Sequence, residues 1–281
     1  LPRVRDALLV DGGVDAFIEA SHGLARGAWA RGVGSFTAVV ILDSADELRL
    51  DYDVTILPPK KYFLPQYERL MKFDLSKPFS AERAEYPRRK VIIGVHPYDA
   101  VAIRQMDSYF LDTDISSNYL RRRKNTLIVG CDVMNAQDKA FFGSMGTGAV
   151  MSGFDLFLTD LGDRVAIQIG TEEGANLLRF AKNLRDWSPV DTQKIKAARD
   201  ATAQKATRGL LIKPAGWHDL LEKNYESEVW KKQSDKCLGC GNCSFVCPTC
   251  FCYDVKDDIN LRLKSGERMR TWDGCLLRRF T

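Results

Sequence analysis

The sequence predicts an α/β domain followed by a small cysteine-rich module. Two apolar runs, KVIIGV at 90–95 and TLIVG at 126–130, flank a helical stretch. Strand, helix and strand in that order imply a parallel crossover in one sheet. Seven of the eight cysteines fall between Cys237 and Cys275, so the thiol chemistry is concentrated near one end. A polar helical stretch up to residue 208 separates the two. The expected division is an α/β domain over 1–208, then a connecting helix and the cysteine module over 209–281.

The elements follow in order. Residues 3–24 read as a helix, with apolar positions at Val4, Leu8, Val14, Phe17 and Ile18. Residues 35–50 read as two strands around Asp43-Ser44-Ala45-Asp46. Pro58-Pro59 makes 57–61 an extended loop. Residues 64–73 read as a short amphipathic helix. The run at 90–95 is a buried strand, and Pro97 and Asp99 open a helix through about Phe110. Residues 118–124 are helical and 126–130 form a second buried strand. Residues 154–159 and 164–170 read as strands around Leu161-Gly162-Asp163. Thr171 caps a helix over 171–183, with Glu172 and Glu173 in its first turn. Helices follow at 191–208 and 217–232. A hairpin carrying Cys275 is expected over 260–272.

The bulk composition is that of an ordinary globular protein, with 45% hydrophobic and 28% charged residues. The net charge of +4 is mild. Arg88-Arg89-Lys90 and the run Arg121 to Lys124 lack interleaved aromatics, so they read as solvated faces rather than a nucleic-acid surface. No stretch approaches the roughly 20 apolar residues that span a bilayer. Thiols kept reduced for metal binding imply a cytoplasmic setting.

Residues 237–252 read CLGCGNCSFVCPTCFC. Cys237, Cys240, Cys243 and Cys247 follow the C-x2-C-x2-C-x3-C-P spacing of a [4Fe-4S] site, with Pro248 in the last place. Gly239 and Gly241 let the backbone approach the cluster sulfurs. A structural zinc site would pair two C-x2-C knuckles across a long gap. A disulfide scaffold would spread its cysteines through a short secreted chain. The fold class is therefore an α/β N-terminal domain with a C-terminal ferredoxin-like [4Fe-4S] module, and electron transfer is the expected activity. In two-cluster ferredoxins the cysteine before proline serves the other cluster. Either Cys247 folds back to close one cluster, or a partner half lies beyond Thr281; the second option is favoured. Cys250, Cys252 and Cys275 stay open as further ligands or plain thiols.

Other signals are weaker. The glycine-rich stretch from Gly143 to Gly148 has no P-loop lysine and reads as a tight loop. His96 and Asp99 end the first crossover strand, and Cys131 and Asp132 end the second. Those ends adjoin in a parallel sheet, where ligands often bind. One alternative is therefore a self-contained oxidoreductase with a site near His96 and Cys131. Another is a structural, zinc-binding subunit. No catalytic constellation stands out, and three histidines in the chain make a His-rich metal site improbable.

Several segments together resemble a known family. They are LRLDYDVTILPPKKYFLPQYE at 48–68, VIIGVHPYDAVAI at 91–103, SMGTGAVMSGFDLFLTDLGD at 144–163, the cysteine run through residue 255, and RTWDGC at 270–275. The chain resembles the iron–sulfur electron-transfer subunits typified by the beta subunit of soluble sulfhydrogenases, a group that includes an anaerobic sulfite reductase component. The resemblance implies a multi-subunit complex in which a flavin-containing subunit, or ferredoxin, exchanges electrons through this chain with a catalytic subunit. It also implies Cys237, Cys240, Cys243 and Cys247 as cluster ligands. Two departures stand out. The second four-cysteine run of such relatives is absent here. Ala140-Phe141-Phe142 also replaces the Cys-Phe-Cys that many carry, so no further metal site is carried over to Cys131.

Overall fold

The computed structural model describes residues 7–11, 28–33, 36–41, 48, 50–76, 78–83, 89–113, 117–181, 184–206 and 208–277. In chain order the strands are β1 (Ala7–Asp11), β2 (Ala28–Val33), β3 (Phe36–Ile41), β4 (Tyr67–Asp74), β5 (Ser80–Arg83), β6 (Lys90–Val95), β7 (Thr126–Cys131), β8 (Leu156–Asp160), β9 (Arg164–Ile169), β10 (Leu184–Asp186), β11 (Tyr253–Ile259) and β12 (Ser265–Trp272). The α-helices are α1 (Pro97–Thr113), α2 (Ser117–Lys124), α3 (Phe142–Met145), α4 (Glu172–Leu177), α5 (Pro189–Lys205), α6 (Trp217–Lys223), α7 (Glu228–Ser234) and α8 (Asn242–Val246).

The larger sheet has the order β10-β1-β9-β8-β7-β6-β2-β3. Its centre is parallel, β2 beside β6, β6 beside β7 and β7 beside β8, and its flanks are antiparallel. The crossover β6-α1-β7 is the one the two apolar runs predict. These strands are apolar on both faces because both faces are covered. Val91, Ile93, Val129, Cys131, Leu156 and Leu158 pack on one side with Leu48, Leu50 and Leu178. Ile92, Ile128 and Phe157 pack on the other, under Ala100, Ile103, Met106 and Phe110 of α1 and Tyr119 of α2. Gly130 is small for a reason: a Cβ there would sit 2.5 Å from the Phe157 ring.

A second sheet, β11-β12-β4-β5, joins strands from both ends of the chain. β12 pairs with β4 from Ser265 opposite Asp74 to Thr271 opposite Tyr67, with a bulge at Arg268/Met269. The boundary expected near residue 208 is thus bridged by strand pairing.

Several sequence expectations change. Residues 64–73 carry strand β4 rather than a helix. Short apolar runs do not distinguish the two periods, and here both edges of β4 find hydrogen-bonding strands. Residues 7–11, expected in a helix, form a strand held between β9 and β10; the rest of that predicted helix lies outside the described residues. β2 and β3 pair antiparallel, from Val33 opposite Phe36 to Ala28 opposite Ile41; the turn expected at 43–46 lies outside the described residues. The loop at 57–61 contains a 3-10 turn, Pro59–Tyr62. The helix expected over 217–232 breaks into α6 and α7. The Asn224 side chain bonds back to the Leu220 carbonyl, and the Ser227 hydroxyl accepts from the Val229 N–H as a new cap. The Thr171 cap forms as expected, accepting from Gly174 N–H at 3.1 Å, but α4 ends at Leu177. The C-terminal hairpin begins at Tyr253, and its turn spans 260–264, so Ser265 and Gly266 already lie in β12.

Candidate metal centre

The cysteine loop lies between the end of α7 and the start of β11. Cys237 N–H bonds to the Ser234 carbonyl as α7 finishes. Gly239 and Gly241 follow with φ of +64° and +70°, the left-handed region that glycine enters without strain. The first of these turns brings the Gly239 N–H to 3.4 Å from Cys237 Sγ, the kind of amide–sulfur contact that tunes a cluster. Gly241 starts α8, a single turn that carries Cys243 and ends at Cys247. A backbone bridge pairs Cys240 with Leu277, which sets the stretch bearing Cys275 alongside. Cys237, Cys240, Cys243 and Cys275 are exposed; Cys247, Cys250 and Cys252 are half-buried.

Three contacts clamp this loop onto the rest of the molecule. Phe251 packs on α1, with ring centroids 4.6 Å from Tyr109 and 5.3 Å from Phe110. Asp273 N–H bonds to the Cys252 carbonyl just after β12, and Gly274 lies where a Cβ would come within 2.9 Å of Ser244. The third clamp is Lys60. Its ammonium donates to the carbonyls of Ser244 and Cys250, both at 2.9 Å, and sits 4.4 Å over the Trp272 ring. The Trp272 indole N–H in turn bonds to the Leu64 carbonyl at 2.8 Å. Lys60 is 2% exposed. Burial lowers its pKa from the ordinary 10.5, while Cys250, Cys247 and Cys252 act in the opposite direction.

The donor set fits a [4Fe-4S] cluster: four cysteine sulfurs in one loop, most of them accessible, with backbone amides beside them. Among the described residues no three histidine, cysteine or carboxylate groups are gathered to hold a single metal ion. A cubane does not require that convergence, because each thiolate binds a different iron. Cys247 and Cys250 differ. Against the upward pull of burial, hydrogen bonds with Thr249 and Cys250 bring Cys247 below its ordinary value. Burial, then a hydrogen bond with Cys247 and its charge, push Cys250 up to about 11. Of the two, Cys247 is the readier thiolate, and thiolates are what iron binds.

The alternative site at the carboxyl ends of β6 and β7 is built differently. His96 is fully buried, stacked on Tyr52 at 4.0 Å, with Nδ1 2.6 Å from the Tyr98 hydroxyl. Burial lowers its pKa to about 3, so it is neutral, and raises Asp99 to about 7. Cys131 is buried and its thiol is pushed far up, first by burial and then by Asp132. Cys131 and Asp132 do line a cavity of about 510 Å³, with Asn135, Asp160 and Lys205. Neither a ready nucleophile nor a proton carrier near neutral pH is formed by His96 and Cys131.

The spacing of the cysteines locates the thiols but gives no hint of Lys60, Trp272 or Phe251 as their supports. The one signal for Lys60 is its place in the PPKKYFLP segment at 58–65, part of the stretch that carries the family resemblance.

Comparison with known proteins agrees with this picture. Residues 236–281 match the 4Fe-4S dicluster domain family, which makes the [4Fe-4S] cluster the cofactor of this segment. Sulfhydrogenase 2 subunit beta from Pyrococcus furiosus is 35% identical over 237 residues, covering 84% of this chain and 69% of the relative. No solved structure matches. No helix among the described residues is long and apolar enough to cross a membrane.

Proposed function

The chain belongs to the sulfhydrogenase beta-subunit family and is an iron–sulfur electron-transfer subunit; from that premise we propose that it relays electrons, in the cytoplasm, between a flavin-containing subunit or ferredoxin and a catalytic subunit. The observation that carries the reading is the cysteine loop, seated at the surface and clamped from three sides. When bound, a [4Fe-4S] cluster supplies reversible one-electron storage. The residues of this chain do the rest. Cys237, Cys240, Cys243 and Cys247 hold the iron. The Gly239 N–H donates toward sulfur, and Phe245, Phe251 and Trp272 limit water on the inner side of the loop. The exposed outer side keeps the distance to a partner short.

Partner subunits are supported by the module's surface. Leu211, Tyr225, Trp230, Leu238 and Leu261 are all exposed. In this reading these side chains belong to a contact surface. Its occupants in this reading are the other subunits of the complex.

Iron and acid-labile sulfide are to be measured on anaerobically prepared protein, with EPR after dithionite reduction. About four irons per chain with matching sulfide support the four-cysteine site. Zinc without sulfide would sink the relay reading.

A further inference from the structure

Lys60 presents an imbalance of charge. An ammonium only 2% exposed needs a counter-charge or a full set of acceptors. Its acceptors are two carbonyls and an aromatic face. Among the described residues no carboxylate pairs with it, although the other buried cations of this region have one: Arg122 and Arg270 both bond to Glu68. Near Lys60 the ionisable neighbours are Cys247, Cys250 and Cys252. A lysine is also a costly way to hold two carbonyls if charge is irrelevant, since a neutral amide donates as well at lower desolvation cost.

We propose that Lys60 is a positioning residue for the [4Fe-4S] cluster, its buried ammonium serving as fixed counter-charge to the thiolate-ligated group and thereby raising its reduction potential. The proposal rests on the cluster lying in the cysteine loop. Four thiolates outweigh the charge of an iron–sulfide core, so the assembly is net negative and gains one more negative charge on reduction. A nearby fixed cation favours that more negative state. The two carbonyl contacts add geometry. Ser244 follows Cys243, and Cys250 lies three residues past Cys247, so one ammonium pins the backbone just after Cys243 and again just after Cys247. Lys60 comes from the 3-10 turn at Pro59–Tyr62, 184 and 190 residues earlier in the chain, so the larger domain supplies the charge to the cluster loop.

The test is an EPR-monitored redox titration of the full-length holoprotein, wild type against Lys60→Met, Lys60→Gln and Lys60→Arg, with iron and sulfide counted in each. Reduction transfers one electron from dithionite and makes or breaks no bond. Lys60→Met removes charge and donors, Lys60→Gln keeps a donor without charge, and Lys60→Arg keeps the charge. The expected result is that both neutral variants bind iron but shift the reduced-to-oxidised ratio at fixed poise at least tenfold toward oxidised, about 59 mV lower for one electron. Lys60→Arg stays within a few-fold of wild type. Neutral variants that lose iron while Lys60→Arg keeps it would also support the proposal, since the charge is then needed for assembly. Wild-type potentials in either neutral variant would overturn it, as would loss of iron in all three, which would make Lys60 a folding residue. Wild-type protein without iron and sulfide would instead overturn the cysteine-loop reading itself.

Discussion

Glu68 and Arg270 form a buried ion pair across 202 residues of sequence. Glu68 is 4% exposed and Arg270 7%. Arg122 of α2 completes the group at 2.5 Å from the same carboxylate, and the Asn118 amide donates to it at 3.0 Å. One side chain on β4 thus ties the helical cover of the large sheet to the hairpin beside the cysteine loop.

Removing that carboxylate leaves two buried guanidinium groups without their counter-charge. Glu68→Gln keeps the shape and loses the charge, and is expected to cost about 3–5 kcal/mol. Urea unfolding of the wild type and variant checks this. A loss below about 1 kcal/mol would show that the pair does not hold the two sheets together.

Gly241 is constrained twice. Its φ is +70°, and a Cβ would lie 2.5 Å from a Leu277 methyl. Gly241→Ala is expected to lower stability by about 1–2 kcal/mol from the backbone alone, and to reduce iron content. Adding Leu277→Ala relieves the contact and recovers only part of the loss. Full recovery in the double variant would assign the whole effect to the steric contact.

The two thiols on either side of Pro248 and Thr249 are expected to separate by substitution. Cys247→Ser should abolish the [4Fe-4S] absorbance and most of the bound iron. Cys250→Ser should retain both, because Cys250 is the thiol whose ionisation is disfavoured. Equal loss in the two variants would make Cys250 a ligand as well.

His96 and Asp99 give opposing pH dependences. Asp99 has a folded pKa of about 7 against an ordinary 3.8, so between those values the native state keeps a proton that the unfolded chain has released. Stability from this group falls as pH rises from about 4 to 7, then levels off. His96 has a folded pKa of about 3 against 6.5, so the unfolded chain holds the extra proton and stability rises from about pH 3 to 6.5. Each effect is on the order of 4 kcal/mol across its window, so they nearly cancel where the windows overlap. Asp99→Asn should therefore expose a stability that rises with pH up to about 6.5. His96→Phe, which retains a ring against Tyr52, should expose one that falls between about pH 4 and 7. Denaturant midpoints measured across pH 4–8 decide; parallel profiles in all three proteins would refute the assignment.

What the sequence determined by itself is local. The four cysteine positions and their glycines lie within eleven residues of chain, from Cys237 to Cys247, so their spacing alone raises the expectation of a [4Fe-4S] site. The central strands were legible because burial on both faces leaves a continuous apolar run, as in 90–95 and 126–130. The Thr171 cap was legible because it is satisfied three residues away. The tertiary structure decided what depends on partners far along the chain. β4 is a strand because β12 and β5 pair with its edges, and β1 is a strand because β9 and β10 do the same. The roles of Lys60 and Glu68 follow from groups about 180 to 200 residues distant. A lysine after two prolines and a glutamate in a mixed-polarity run are ordinary surface residues by composition. Only folding takes them out of water, and that makes their charges count.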